Sequence, residues 1–319
     1  MVDLKSRSGC ILFCLSVIAC STPRPTRVTP IAPASAYVAM GSSYAAGPDI
    51  TTSADHPKNR CARSADNYAH ILARKLNLHL IDVTCSGATT EHVIGPWKEL
   101  QPQIEALTVD TKLVTVTIGG NDVGYFGMLW SASCTSVSVP ATARGFKCPV
   151  PPAKADAWTK VDAGMRRIAA EVHRRSPAAR LVFVDYLSVL PARGACANAP
   201  MSPDTARTIT AVAQRLSHLT ARVAAETQAD VIKASAISAR HNACSRDPWI
   251  TGFPTNTSAP GFVPYHPNEK GMIAITEALM QRLAPRPGYS KKASPEERPQ
   301  RRTCRLVFPF RHLRGDRAG

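Results

Sequence analysis

Four separated runs in this 319-residue chain place a serine, several glycines, an asparagine and a histidine in settings suited to nucleophilic chemistry. They are Gly41-Ser42-Ser43-Tyr44-Ala45-Ala46-Gly47, Cys85-Ser86-Gly87-Ala88-Thr89-Thr90, Gly119-Gly120-Asn121-Asp122 and His266-Pro267-Asn268. A serine hydroxyl is a weak nucleophile at neutral pH, so an imidazole must take its proton as a carbonyl is attacked. Ser43 and His266 suit that pair of roles. Attack turns the carbonyl oxygen into an oxyanion, which fixed N–H donors stabilise as it forms. A glycine lets substrate approach the backbone closely, and an asparagine amide donates without carrying a proton that titrates. Singly, each run has a plainer reading: serine beside glycine as a turn residue, Gly-Gly-Asn as a loop, histidine before proline as a surface group. Their joint order favours catalysis.

The elements that must position these runs alternate between strand and helix. Residues 36–40 form a short apolar run ending at Gly41, 67–76 have helical spacing, 78–83 are strand-like, and 113–118 are β-branched and stop at Gly119-Gly120. Residues 156–175 read as helix, 181–186 as a buried strand and 204–228 as a long helix, where Ile209, Val212, Ala213, Leu216, Leu219 and Val223 share one face. A last helix opens after His266-Pro267-Asn268. This alternation predicts a parallel sheet in a three-layer α/β/α sandwich, whose ligand sites lie at the carboxyl ends of the strands. The serine, glycine and asparagine runs each follow a predicted strand, so they should emerge at that edge. No internal repeat and no second domain is evident.

In this order the four runs resemble the SGNH (GDSL-type) hydrolase family, particularly its secreted actinobacterial lipase and esterase branch, over about residues 36–283. The resemblance implies a flavodoxin-like fold and an acyl-enzyme mechanism that needs no metal or cofactor. It makes Ser43 the nucleophile and His266 the general base, with the Ser43 N–H, the Gly87 N–H and the Asn121 amide as oxyanion donors. The partner it implies is an acyl ester, whether lipid, short-chain ester or acylated sugar. It further implies the disulfides Cys61–Cys85, Cys134–Cys148 and Cys196–Cys244, a pairing that sequence alone leaves open. Position 45 is alanine, so the Gly-x-Ser-x-Gly elbow of the α/β-hydrolases is absent.

Two departures from the family pattern stand out. Ser42 replaces the aspartate beside the nucleophile, which should change local hydrogen bonding rather than abolish chemistry. Val263 occupies the place of the triad aspartate, three residues before His266. Some members of the branch orient the histidine with a backbone carbonyl there, so the Val263 carbonyl is the expected partner in a Ser-His dyad, with Asp247 as the fallback carboxylate. A carbonyl fixes the tautomer but brings no charge to stabilise imidazolium, which predicts activity more acid-sensitive than a carboxylate would give. Tyr44, Tyr125 and Phe126 either line the pocket or pack the core.

The net charge of +16 raises a nucleic-acid or membrane reading, but it concentrates at the ends. Residues 37–285 hold 25 Lys/Arg against 19 acids, whereas 286–319 hold ten against three. No cluster of basic and aromatic residues lies between positions 37 and 285, so nucleic acid is not an expected partner. Ten cysteines without a CxxC pair speak against a zinc ribbon or thioredoxin-type site and for an oxidising compartment. Lys5 and Arg7 precede an apolar run over 10–19, too short to span a bilayer but suited to an export signal over residues 1–20. Val17-Ile18-Ala19-Cys20 resembles a lipobox with Cys20 as the lipidated residue; the alternative is cleavage after Ala34-Ser35-Ala36. Residues 21–35 read as a flexible Pro/Thr/Ala-rich tether, 36–285 as the hydrolase domain, and 286–319 as a disordered basic tail carrying an unpaired Cys304. A secreted or envelope-associated protein follows, held at the cell by a lipidated N-terminus or by the tail. Two rival functions keep the same fold: a non-catalytic envelope protein binding glycan or lipid, and an acyltransferase.

Overall fold

The computed structural model describes residues 30–137, 148, 153–192, 194–253 and 263–284. Among these residues five strands form one sheet: β1 (Ala36–Gly41), β2 (His79–Asp82), β3 (Thr111–Thr117), β4 (Arg180–Val184) and β5 (Asp230–Ile232). Their order is β2-β1-β3-β4-β5, and every pairing is parallel. The central strands are covered on both faces, which is why β1 and β3 read as apolar runs instead of alternating sequences. Two helix groups supply the outer layers. In one, α2 (Tyr68–Leu76) packs on α8 (Glu269–Leu283); in the other, α5 (Ala157–Arg175) packs on α3 (Thr90–Ile94) and α6 (Pro203–Glu226), while α4 (Tyr125–Ser136) also meets α6. The result is the expected three-layer α/β/α sandwich. Among the described residues, two one-turn helices, α1 (Ser43–Ala46) and α7 (Ala234–Ile237), and a 3-10 turn (Gln103–Ala106) complete it.

Local chemistry sets the element boundaries. Asn67 caps α2 by accepting from the Ala69 and His70 N–H groups, Ser202 caps α6 ahead of Pro203, and Asn268 caps α8 by accepting from Gly271. Asn268 therefore starts the helix that fixes the chain just beyond His266. Gly41 ends β1 at φ +136°, and a Cβ there would lie 2.3 Å from the Thr117 carbonyl oxygen. Only glycine allows β1 and β3 to close together at the point where the serine run leaves the sheet.

Among the described residues the disulfides are Cys61–Cys85, Cys134–Cys148 and Cys196–Cys244, the pairing that the family resemblance implied. One boundary needs correction. The tether predicted over 21–35 is not free along its whole length: the Ala34 N–H donates to Asn77 O at 2.6 Å, the His79 N–H donates to Ser35 O, and Ile31 packs against the core. The expectations for residues 1–20 and 286–319, Cys20 and Cys304 among them, lie outside the described residues. Among the described residues, no helix is long and apolar enough to cross a membrane.

Candidate active site

Ser43 and His266 lie 223 residues apart in sequence, yet Ser43 Oγ and His266 Nε2 are 2.8 Å apart. Both side chains are buried. The other ring nitrogen, Nδ1, lies 2.7 Å from the Pro264 carbonyl oxygen. A carbonyl only accepts, so Nδ1 must carry the proton and Nε2 must be the bare nitrogen facing the serine hydroxyl. This is the tautomer a general base needs.

The orienting carbonyl is that of Pro264, which corrects the assignment to Val263. The Val263 oxygen instead accepts from the Thr251 hydroxyl at 2.5 Å, and the same hydroxyl receives the His266 N–H at 3.0 Å. Tyr265 adopts a left-handed φ of +59°, which folds the loop back so that the imidazole reaches a carbonyl only two residues upstream. That conformation is costly for a residue with a Cβ and is held by packing. The Tyr265 ring is fully buried with its hydroxyl on Ser133, and its carbonyl accepts from the Tyr44 hydroxyl. The fallback carboxylate is elsewhere: Asp247 pairs with Lys270 and sits 3.5 Å from His241 Nδ1, at the surface.

Burial pushes the His266 imidazole from its ordinary 6.5 down to about 4, against a smaller upward pull from the Pro264 carbonyl. Burial thus works against the acid sensitivity expected from sequence, because a base that resists protonation stays competent at lower pH. The acid limb of kcat/KM should therefore lie well below 6.5, with activity lost only as pH falls through about 4. Stability follows the same group with a definite sign. An unfolded chain takes up this proton near 6.5 and the folded one near 4, so the unfolded state binds more protons in between. Folding is consequently weakened as pH drops across that window, and is free of this penalty above it. A kcat/KM profile and melting temperatures measured from pH 4 to 8 check both trends; an acid limb at 6.5 would contradict them.

The loops that carry Gly87 and Asn121 are tied to the Ser43 turn by specific bonds. The Cys85 N–H donates to Gly41 O at 3.0 Å, and the Cys61–Cys85 bridge anchors the start of the run that holds Gly87. Gly87 has φ +86° and faces Trp97, whose ring would lie 3.1 Å from an added Cβ. Asn121 donates from Nδ2 to Ala88 O at 2.9 Å, linking the loops after β2 and β3 and leaving its second N–H for another acceptor. Asp122 accepts from the Thr90 N–H and hydroxyl at 3.1 and 2.5 Å, which fixes the same loop to the start of α3.

Several supports escaped sequence reading. Gln103 reads both sides of Gly41, accepting its N–H at 2.7 Å and donating to its carbonyl at 3.0 Å. Neither Gln103 nor Thr251 sits in a recognisable run, so no local signal marks them. Of the three aromatics, Tyr44 and Tyr125 are buried, whereas Phe126 places its edge against the His266 ring at 5.0 Å between centroids. Asn121 and Phe126 also border a cleft of about 1000 Å³ whose other walls include Ile94, Gly95, Ala153 and Ala157.

The description "GDSL-like Lipase/Acylhydrolase family" fits residues 39–273 of the chain. Lipase 2 of Streptomyces coelicolor is 31% identical over 261 residues, covering 77% of this chain and 85% of that protein. Among solved structures, phospholipase A1 of Streptomyces albidoflavus has a TM-score of 0.64 at 24% identity, covering 78% of this chain and 99% of its own. The extracellular lipase of Streptomyces rimosus has a TM-score of 0.63 at 25% identity, with the same coverage of both chains.

Proposed function

The chain belongs to the GDSL-like lipase/acylhydrolase family, and we propose that it cleaves acyl esters through an acyl-Ser43 intermediate, with His266 as the base of a Ser-His dyad that the Pro264 carbonyl orients. The observation that carries this reading is the Nε2–Oγ contact of 2.8 Å made by a ring whose other nitrogen is already committed as a donor. His266 Nε2 takes the Ser43 proton as Oγ attacks the carbonyl carbon. The ring then gives that proton to the departing alkoxide, leaving an ester on Ser43. Water, deprotonated by the same nitrogen, releases the acid and restores the serine. The Ser43 N–H, Gly87 N–H and Asn121 amide hold the negative oxygen in both halves of the cycle. The cleft beside Asn121 and Phe126 offers one arm of the ester a wall that is part apolar, at Ile94, Ala153 and Ala157, and part charged, at Lys154, Lys160 and Arg167.

Export is part of the proposal. Three disulfides within one domain fit an oxidising compartment, and the Streptomyces rimosus relative of known structure is extracellular. Cleavage after Ala36 would cut away Ile31, the Ala34 bond to Asn77 and the first residue of β1. Processing upstream, at Cys20, spares them all.

The acyl-enzyme reading is tested by mixing the purified protein with p-nitrophenyl butyrate and quenching in acid within the first turnovers. The expected result is a burst of about one p-nitrophenolate per protein and a butyryl mass on the peptide containing Ser43. Acylation of another residue, or steady turnover insensitive to a fluorophosphonate, would overturn it.

A further inference from the structure

Gly120 and Ser42 both bond to one side chain, that of Tyr186, two residues beyond the end of β4. The Gly120 N–H donates to the Tyr186 hydroxyl oxygen at 2.8 Å, and the Ser42 hydroxyl lies 3.3 Å from the same oxygen. With that oxygen already accepting from Gly120, the phenolic proton is free to point to Ser42 Oγ. All three groups are shielded from water. A Cβ on Gly120 would fall 2.7 Å from the Tyr186 ring, so the second glycine of Gly119-Gly120-Asn121 is the space the tyrosine occupies.

We propose that Tyr186 is a positioning residue for the oxyanion hole, its hydroxyl clamping the turn that carries Asn121 onto the turn that carries Ser43. The inference rests on the acyl-Ser43 reading. Donors help only if they already stand where the charge will develop, and a small misplacement forfeits much of their effect. Ser43 N–H and the Asn121 amide lie on turns that follow different strands, so something must set their separation. Tyr186 bonds to the residue immediately before each of them, at Ser42 and Gly120. It is itself rooted firmly: its ring packs on Tyr44 at 4.6 Å and edge-on to Tyr125 at 6.1 Å. Its neighbour Asp185 accepts from the Ser217 hydroxyl and from the Ser235 hydroxyl and N–H. Burial pushes the Tyr186 phenol well up, so it serves as a neutral bridge. This also gives Ser42 a task. Its hydroxyl takes the phenolic proton that the Gly120 N–H leaves free to point that way.

Tyr186→Phe keeps the ring and removes only the bridge. Its kcat per active site, counted by burst titration, should fall about 10- to 100-fold with KM held within about threefold. The acid limb of the pH profile should stay in place, since the His266 surroundings are untouched. An alkylboronic acid, which forms a tetrahedral adduct on serine, should lose affinity by the same factor as kcat, while a non-reactive amide analogue binds unchanged. Ser42→Ala should shift kcat in the same direction by less, and the double variant should be no worse than Tyr186→Phe alone. Tyr186→Phe with kcat per titrated site within twofold of the parent, a loss confined to KM, or additive effects of the two substitutions would overturn the clamp. If Tyr186→Phe does not fold, Ser42→Ala decides alone, and unchanged kcat there overturns the clamp. Failure of the parent to acylate Ser43 would sink both readings together; a parent that acylates beside an unimpaired Tyr186→Phe would sink only this one.

Discussion

Ser43→Ala is expected to lower kcat on p-nitrophenyl esters by a factor on the order of ten thousand to a million, and adding His266→Ala to the same chain should cost almost nothing more. The reason is that the two side chains act as one device. Without the hydroxyl, the imidazole has no nucleophile to activate; without the imidazole, the hydroxyl keeps its proton. His266→Ala alone should therefore approach the Ser43→Ala level. Each variant should retain the fold, because the sheet, its helices and the disulfides remain. Steady-state turnover of the three variants, with circular dichroism to confirm folding, is the check. Turnover above one part in a hundred in Ser43→Ala would show that another group attacks the carbonyl.

The second large effect is expected at Asn121. Asn121→Ala should reduce kcat by about a hundred- to a thousandfold, or ~3 to 4 kcal/mol of barrier, while KM changes little. The split follows from when the donor acts. A ground-state ester oxygen is nearly neutral and gains little from an amide, whereas the tetrahedral oxygen carries the charge that the amide faces. The substitution also removes the bond to Ala88 O, so a modest drop in melting temperature should accompany it. Kinetics on burst-titrated enzyme separate the two consequences. A rise in KM at constant kcat would make Asn121 a substrate-binding group instead.

Much of this was legible in the chain, and the parts that were not share a cause. β1, β3 and β4 are buried on both faces and announce themselves as apolar runs, and the two long helices carry a clear apolar stripe. β5 has only three residues, too few to show a pattern, and α4 has apolar residues all around it, which leaves no stripe to read. Ser43, Gly87, Asn121 and His266 were visible because their runs follow strands or open a helix. The orienting carbonyl was off by one residue, since its place depends on the left-handed turn at Tyr265, which no local residue preference foretells. Gln103, Thr251 and Tyr186 each act through hydrogen bonds to residues distant in sequence, and nothing beside them in sequence distinguishes them from their neighbours.

The group that steers the imidazole is a main-chain oxygen, and this has an effect on how the site can change. No codon specifies that oxygen, since every residue type at position 264 would carry it. A survey that swaps side chains one at a time therefore passes over the third member of the constellation without registering it. Loss of the function must come by bending the chain, through Tyr265, Thr251 or the cap of α8, rather than by erasing an acid. The arrangement exchanges the electrostatic help of a carboxylate for an orienting atom that point mutation cannot delete.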